Sequence, residues 1–493
     1  MLNPQGKKAI IIGSGIAGLS SAARLAAKGF EVLVFEKNDF YGGKLALHVQ
    51  DGYSFDMGPS IFTQPFVLED LFTYCGKRFS DYFSYQNLQI NTHNFFNDGT
   101  EILAYKGKAN FVAEIKKKLD IDTSRLESYL LEAERMYNDI GKIFLDEHIH
   151  DLKTWTTARI PKALKALKWQ YLMKSMHDYH TQKLQHPKLV QMFDRFATYN
   201  GSNPYEAPAM LSMIAHLEMN EGAYYPKGGM ISIPNAVYQL CVDMGVQFHF
   251  NSKVESIITE EGKTEGIIAN GKIFFADVIV TNSDVFYTYY DLLADKEKGE
   301  QIRQMERSTS AMIFYWGVNK EYKQLGLHNL FFSDNYKEEF DYVSKLQQPY
   351  HDPTIYINIT SKMEPEHAPT GCENWFVFVN KPAVIDAHED DVTATIKQHT
   401  IAKLSRMLGE DIAPHIVTEH TLTPTSIQSR TNSYLGALYG TSSNNRMAAF
   451  KRHSNVSSRY KGLYFAGGSV HPGGGIPLCL RSAKLAVEKI LAD

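Results

Sequence analysis

The segment Gly13-Ser14-Gly15-Ile16-Ala17-Gly18 constrains this chain more than any other. It stands between an apolar run, Lys8–Ile12, and a stretch of small and aliphatic residues carrying Leu19, Ala22, Ala23, Leu25 and Ala26. The run reads as a buried strand, the stretch as a helix ended by Gly29, and 31–36 (EVLVFE) as a second strand. The result is a strand-helix-strand unit with glycines at its first turn, the signature of a dinucleotide-binding α/β fold. Gly13 permits the tight turn and Gly18 lets helix and strand pack. Gly15 lets a pyrophosphate approach the amides around Ser14, Ile16 and Ala17 at the helix N-terminus. Glu36, eighteen residues beyond Gly18 and followed by Lys37, is placed to accept from a ribose hydroxyl. Lys7 and Lys8 ahead of this stretch give it the outline of a secretion signal, but cleavage would destroy the unit, so no signal peptide is expected.

At 493 residues the chain has room for about three structural units. Its 44% apolar and 22% charged residues exclude wholesale disorder. With 51 Lys+Arg against 55 Asp+Glu there is no basic excess of the kind a nucleic-acid partner demands, and none is expected. Cys75, Cys241, Cys372 and Cys479 are scattered without a C-x-x-C pair, which fits a reducing compartment. The longest nearly unbroken apolar stretch, 311–318, is far short of the ~20 residues that span a bilayer, so no transmembrane helix is expected.

From about 110 to 224 the pattern turns helical, interrupted by Pro161, Pro187, Pro204 and Pro208. Residues 230–284 return to mixed α/β, with a helix over 233–244 and strands VQFHF, KVESIIT, EGIIA and KIFFADVIV set apart by turns such as Asn270-Gly271. Strands of another sheet are expected at 311–318, 354–359 and 375–380, helices at 391–408 and 477–492.

Further motifs carry a resemblance. Tyr41-Gly42-Gly43-Lys44, Phe55-Asp56-Met57-Gly58-Pro59-Ser60 and Tyr225-Pro226-Lys227-Gly228-Gly229-Met230 resemble the glutathione-reductase-type FAD superfamily in its amine oxidase and carotenoid desaturase branch. So does the stretch from Gly245 through Val254 to Asn282-Ser283-Asp284, in which the residue at the Val254 position meets the adenine through its backbone. The run Gly467-Gly468-Ser469-Val470-His471-Pro472-Gly473-Gly474-Gly475-Ile476-Pro477 resembles the C-terminal signature of bacterial-type carotenoid desaturases. Its glycines clear space where a flat flavin ring lies against the chain, and the following helix N-terminus stabilises negative charge on the ring. Two positions depart from the pattern: Val470 replaces a Thr or Ala, and Gly468 stands where amine oxidases carry an acid.

The resemblance spans the chain. It implies a Rossmann-type FAD domain at 1–80, 225–292 and 425–493, a β-sheet substrate domain at 81–109 and 293–424, and a helical membrane-associating domain at 110–224. It also implies noncovalent FAD held by residues 13–18, Glu36, Lys37, Gly43, Lys44, Gly58, Pro59, Ser60, Val254, Asn282, Gly468, Ser469, Gly474, Gly475 and Ile476. Oxygen or a quinone is the implied electron acceptor. The run 471–482 looks closest to members that desaturate the 3,4 position of 1-hydroxylated acyclic carotenoid ends. Alternatives are a multi-step phytoene desaturase, a flavin-dependent carotenoid isomerase or saturase, and a non-enzymatic FAD-containing scaffold. His471, beside the expected flavin, is the candidate catalytic base, with orientation of the glycine loop as its other role.

The chemistry of the residues agrees, because taking two hydrogens from adjacent carbons needs a two-electron acceptor that no side chain supplies. Residues 151–190 hold eight Lys/Arg against two acids, together with Trp155 and Trp169. A helix here would place Ile160, Ala163, Leu164, Leu167 and Tyr171 on one face and Lys162, Lys165 and Trp169 on the other, which suits the cytoplasmic surface of a membrane. The cluster Asp146-Glu147-His148-Ile149-His150-Asp151 reads as a solvated helix end, and no metal is expected.

Overall fold

A computed structural model describes residues 5–157 and 159–493. The opening unit sits in a five-stranded parallel sheet ordered Leu463–Phe465, Val278–Thr281, Lys8–Ile12, Glu31–Phe35, Gln247–His249. Both faces are covered, which is why Ala9, Ile10 and Ile11 lose all contact with solvent. Helices Ile16–Ala26, Ser232–Asp243 and Ile476–Ala492 share one core with strand residues Ala9, Ile11, Val32 and Val34. The opposite face packs on an antiparallel meander, Val254–Glu260, Lys263–Ala269 and Lys272–Phe275. Its turns, Glu261-Gly262 and Asn270-Gly271, have positive φ at both residues, as two-residue hairpin turns require.

The run 272–280, expected as one strand, is two. Lys272–Phe275 pairs within the meander and Val278–Thr281 enters the parallel sheet. Asp277 fixes the break, since its carboxylate accepts from the Lys8 amide at 2.8 Å and its own amide donates to the Lys8 carbonyl at 2.9 Å.

A seven-stranded sheet follows the order Ile416–Leu422, Ser310–Val318, Glu373–Lys381, Ile355–Ile359, His328–Phe331, Ile90–Phe95, Glu101–Tyr105, antiparallel except where His328–Phe331 meets Ile90–Phe95. The apolar run 311–318 is a fully buried interior strand, second from the edge. Helix Glu389–Leu408 covers one face through Ile396 and Leu404, and the hairpin Ala46–Gln50/Tyr53–Met57 packs on the other.

Helices Ser124–Met136, Met176–Leu184 and Pro187–Asp194 share a core with Phe96, Ile102 and Ala104 at the sheet edge. The single helix expected across 160–171 is two short ones, Ile160–Ala166 and Trp169–Met173, because Leu167 and Lys168 are extended. Ile160, Ala163 and Tyr171 are buried as expected, but Leu164, in the first of the two helices, is 62% exposed. Lys168 and Tyr171 both bond Glu132, which anchors the second helix independently of the first. Among the described residues no helix is long and apolar enough to cross a membrane.

Candidate active site

A cavity of about 1200 Å³ is lined by the parallel sheet, the seven-stranded sheet and the helical region together. Gly13, Gly15, Ile16, Ala17, Glu36, Lys37, Val254 and Asn282 line it. So do Gly43, Lys44, Gly58, Pro59 and Ser60, and from the C-terminal run Gly468, Ser469, His471, Gly474, Gly475 and Ile476. Residues more than four hundred positions apart thus meet on one wall.

Ser14 and Gly18 lie behind that wall. The Ser14 amide and hydroxyl both donate to Glu36 Oε2, at 2.9 and 2.8 Å, while the Asn38 amide and side chain donate to Oε1. Glu36 is therefore fixed before any ligand arrives. Gly18 is demanded by space, since a Cβ there would sit 2.1 Å from the Gly13 carbonyl oxygen. Gly15 has ordinary backbone angles, but its Cβ would fall 2.5 Å from Asn282 Oδ1. The Lys37 amine bonds Asn432 at 2.8 Å and the Ser429 carbonyl, in a segment, 428–433, that closes over this part of the cavity.

Helices Ile16–Ala26 and Ile476–Ala492 both begin at the cavity, behind Gly15 and Gly475, and neither has a side-chain cap. Their first amides have no intrahelical partner, so two sets of donors at positive dipole ends face one space. This arrangement fits FAD, with the pyrophosphate at the first helix, the ribose at Glu36 and the ring at the second. Asp56, buried, accepts from the amides of Met230 and Ile231 at 2.7 and 3.0 Å and so ties the 55–60 segment to 225–230.

The two departures in the C-terminal run have physical reasons. Val470 does not reach the cavity and packs in the core behind it. At Gly468 a Cβ would press on Gly474 at 3.2 Å, and the Gly468 carbonyl accepts from Arg452 at 3.0 Å. Arg452, 5% exposed, also donates to the carbonyls of Tyr439 and Thr441 and has no carboxylate partner among the described residues. Burial pushes its pKa down to about 10. No sequence motif announced it. Lys44 is likewise held by carbonyls, those of Leu438 at 2.7 Å and Ala437 at 3.3 Å, and burial lowers its pKa.

His471 reaches the cavity, but its Nε2 lies 3.0 Å from the Glu147 carbonyl. A carbonyl only accepts, so Nε2 carries the proton. Burial pushes the His471 pKa down to about 3, leaving a neutral ring of little basicity. The geometry favours the orienting role over that of a base.

Ion pairs occupy the acid-rich stretch at 146–151. Asp146 pairs with Arg481 and Asp151 with Lys489, and His148 Nε2 lies 3.5 Å from Glu488, lashing the helical region to the C-terminal helix, while Glu147 pairs with Arg159 inside the helical region. In the basic segment Lys162 pairs with Asp139, Lys168 and Lys183 with Glu132, and Lys188 with Asp98. Among the described residues, Lys153 and Lys165 are the basic side chains of this segment left without an acidic or amide partner.

The sequence from residue 16 to 491 matches the family of flavin-containing amine oxidoreductases. It is 43% identical to a 1-hydroxycarotenoid 3,4-desaturase of Flavobacterium sp. (strain P99-3), with 98% of this chain and 99% of that protein aligned. It is 33% identical to a 4,4'-diapolycopene oxygenase of Methylomonas sp. over 99% of this chain and 98% of that one. The fold is shared with an oxidoreductase from Methanosarcina mazei, with a TM-score of 0.65 at 16% identity over 99% of this chain and all of that one.

Proposed function

The chain belongs to the flavin-containing amine oxidoreductase family, and from that premise we propose that it desaturates the 3,4 bond of a 1-hydroxylated acyclic carotenoid end. One observation carries the reading. The cavity that begins at two uncapped helix N-termini continues into a wall of Met210, Leu211, Met213, Ile214, Leu217 and Phe376, in a chain 43% identical to a desaturase of that specificity. Residues 1–80, 225–292 and 425–493 hold FAD noncovalently, 81–109 and 293–424 the substrate, and 110–224 meets the membrane.

Bound FAD supplies the two-electron acceptor that the chain lacks, and the electrons pass on to oxygen or a quinone. The chain's own work is positioning. The apolar wall excludes water and holds the substrate carbons still. The Gly475 helix N-terminus, Lys44 and Arg452 all line the cavity and would offer positive charge to a flavin ring held there. His471 keeps its proton on Nε2 against the Glu147 carbonyl and so sets the glycine loop. A cation beside a conjugated polyene is delocalised, so a strong base is unnecessary.

Leu152, Leu164, Trp169, Met447 and Phe450 are exposed, and the basic segment meets 446–450 where Trp155 packs on Phe450 and Arg446 bonds the Met173 carbonyl, at the part of the molecule where Leu172, Arg446, Ala448 and Phe450 line the cavity. That face docks on the cytoplasmic surface of the membrane, and the polyene enters there. The test offers phytoene, a non-hydroxylated acyclic end and its 1-hydroxylated counterpart side by side. Desaturation of the hydroxylated end once, without oxygen insertion, is the expected result. Several new double bonds in phytoene with the hydroxylated substrate untouched would move the assignment to a phytoene desaturase. Oxygen in the product would move it to the activity named for the 33% identical relative.

A further inference from the structure

Resting on the reading just given, we propose that Tyr356 accepts the hydrogen bond of the substrate's tertiary hydroxyl and sets the preference for hydroxylated ends. The argument begins with the substrate. In a 1-hydroxylated end that reacts at C3 and C4, the oxygen is three bonds from C3, so with one hydrogen-bond length added the group that recognises it lies within about 7 Å of C3. The recognition group therefore belongs to the wall around the flavin site rather than to a remote end of the chamber.

Tyr356 is on that wall. It projects from the central strand Ile355–Ile359 of the seven-stranded sheet, beside Phe376, and its hydroxyl lies 2.8 Å from Ser60 Oγ, in the segment whose Gly58 abuts the Lys44 carbonyl. Behind it, His328 Nδ1 is 2.7 Å from the same hydroxyl. The direction of these bonds follows from His328. The Asn358 amide nitrogen donates to the Leu327 carbonyl at 3.1 Å and to His328 Nδ1 at 3.2 Å, so Nδ1 is an acceptor. Burial holds the His328 pKa down to about 3, so the ring is neutral, and with Nδ1 accepting from Asn358 its single proton is on Nε2.

The Tyr356 O–H therefore donates to His328, and Ser60 Oγ donates to the Tyr356 oxygen. What Tyr356 offers the cavity is a lone pair and no proton. A substrate hydroxyl donates to this remaining lone pair, whereas a hydrocarbon end sets apolar carbon against it and gains no hydrogen bond, which is how the seat favours the hydroxylated end.

The experiment compares flavin-loaded wild-type and Tyr356→Phe proteins on a hydroxylated end and its non-hydroxylated counterpart. The wild-type kcat/KM should favour the hydroxylated end, and Tyr356→Phe should shrink that preference by about tenfold or more at equal flavin content. A wild-type preference that persists undiminished in Tyr356→Phe overturns the assignment of Tyr356 alone. A wild type that ignores the hydroxylated end and desaturates phytoene overturns the underlying reading as well. A second measurement needs no variant: a 1-methoxylated end has no proton to give and should turn over about tenfold or more slowly on the wild type. Equal turnover of methoxylated and hydroxylated ends would contradict the acceptor geometry.

Discussion

The nucleotide end of the cavity and its polyene chamber are built on different principles. Around Gly13, Gly15 and Glu36 the wall is backbone and one carboxylate, and its hydrogen bonds are in place before any ligand arrives. Around Tyr356, Met210 and Phe376 the wall is side chain, gathered from strands and helices far apart in sequence, with polar groups kept few. A backbone-built site tolerates almost no added atom, because it has nothing flexible to move aside. A side-chain-built chamber is adjustable, and specificity there rests on shape and single hydrogen bonds.

The sharpest break in this contrast comes from Gly15→Val. Its Cβ meets Asn282 Oδ1 at 2.5 Å and the branch enters the pyrophosphate position, so flavin should be lost almost completely while circular dichroism is retained. Full flavin content in that variant would remove the nucleotide site from this end of the cavity. Glu36→Ala should weaken FAD less absolutely. It also leaves the buried Ser14 donors unpaired, at about 1–3 kcal/mol, so its effect exceeds the loss of a ribose contact and should appear in both thermal stability and flavin affinity.

In the chamber, Met210→Trp should fill space without touching the flavin, lowering kcat/KM for the carotenoid by about tenfold at unchanged flavin absorbance. Parallel loss of flavin would show that the two regions are not separable. Reversing Lys153 and Lys165 to Glu should weaken binding to anionic vesicles by ~1 kcal/mol per charge, read by flotation. Lys168→Glu is a poorer test, because Lys168 bonds Glu132 inside the helical region. Unchanged flotation of the double variant would leave the segment as a solvated face.

The smallest effect concerns His471. Its folded pKa, about 3, lies below the ordinary 6.5, so its contribution to stability is complete above pH 6.5 and is lost as the pH falls toward 3. His471→Gln keeps a donor for the Glu147 carbonyl and should make the fall in Tm across that window shallower, without moving the acid limb of kcat/KM. A displaced limb would make His471 a proton-transfer group after all.

The same contrast explains what could be read from the sequence. The strand-helix-strand opening, the buried strand at 310–318 and the glycine-rich run near the C-terminus were legible because local spacing dictates them. The run 272–280 was misread because Asp277, which divides it, acts through a partner, Lys8, at the other end of the chain's first unit. The single helix expected across 160–171 divides where Leu167 and Lys168 extend, at a point that no Pro or Gly marks. Arg452, the 428–433 cover and the Ser60–Tyr356–His328 chain carry no local pattern. Their partners are brought together only by the sheets, and nothing in residue spacing marks them.

If a carotenoid end bound in the apolar chamber reduces a flavin held by the glycine-rich wall, the two events must occur together in a single turnover. Anaerobic mixing of the flavin-loaded protein with a 1-hydroxylated acyclic carotenoid in liposomes tests it directly. Bleaching of the flavin's visible absorbance, together with a product whose conjugation is longer by one double bond, is the predicted result. A carotenoid that binds while the flavin stays oxidised and the polyene spectrum is unchanged would contradict it.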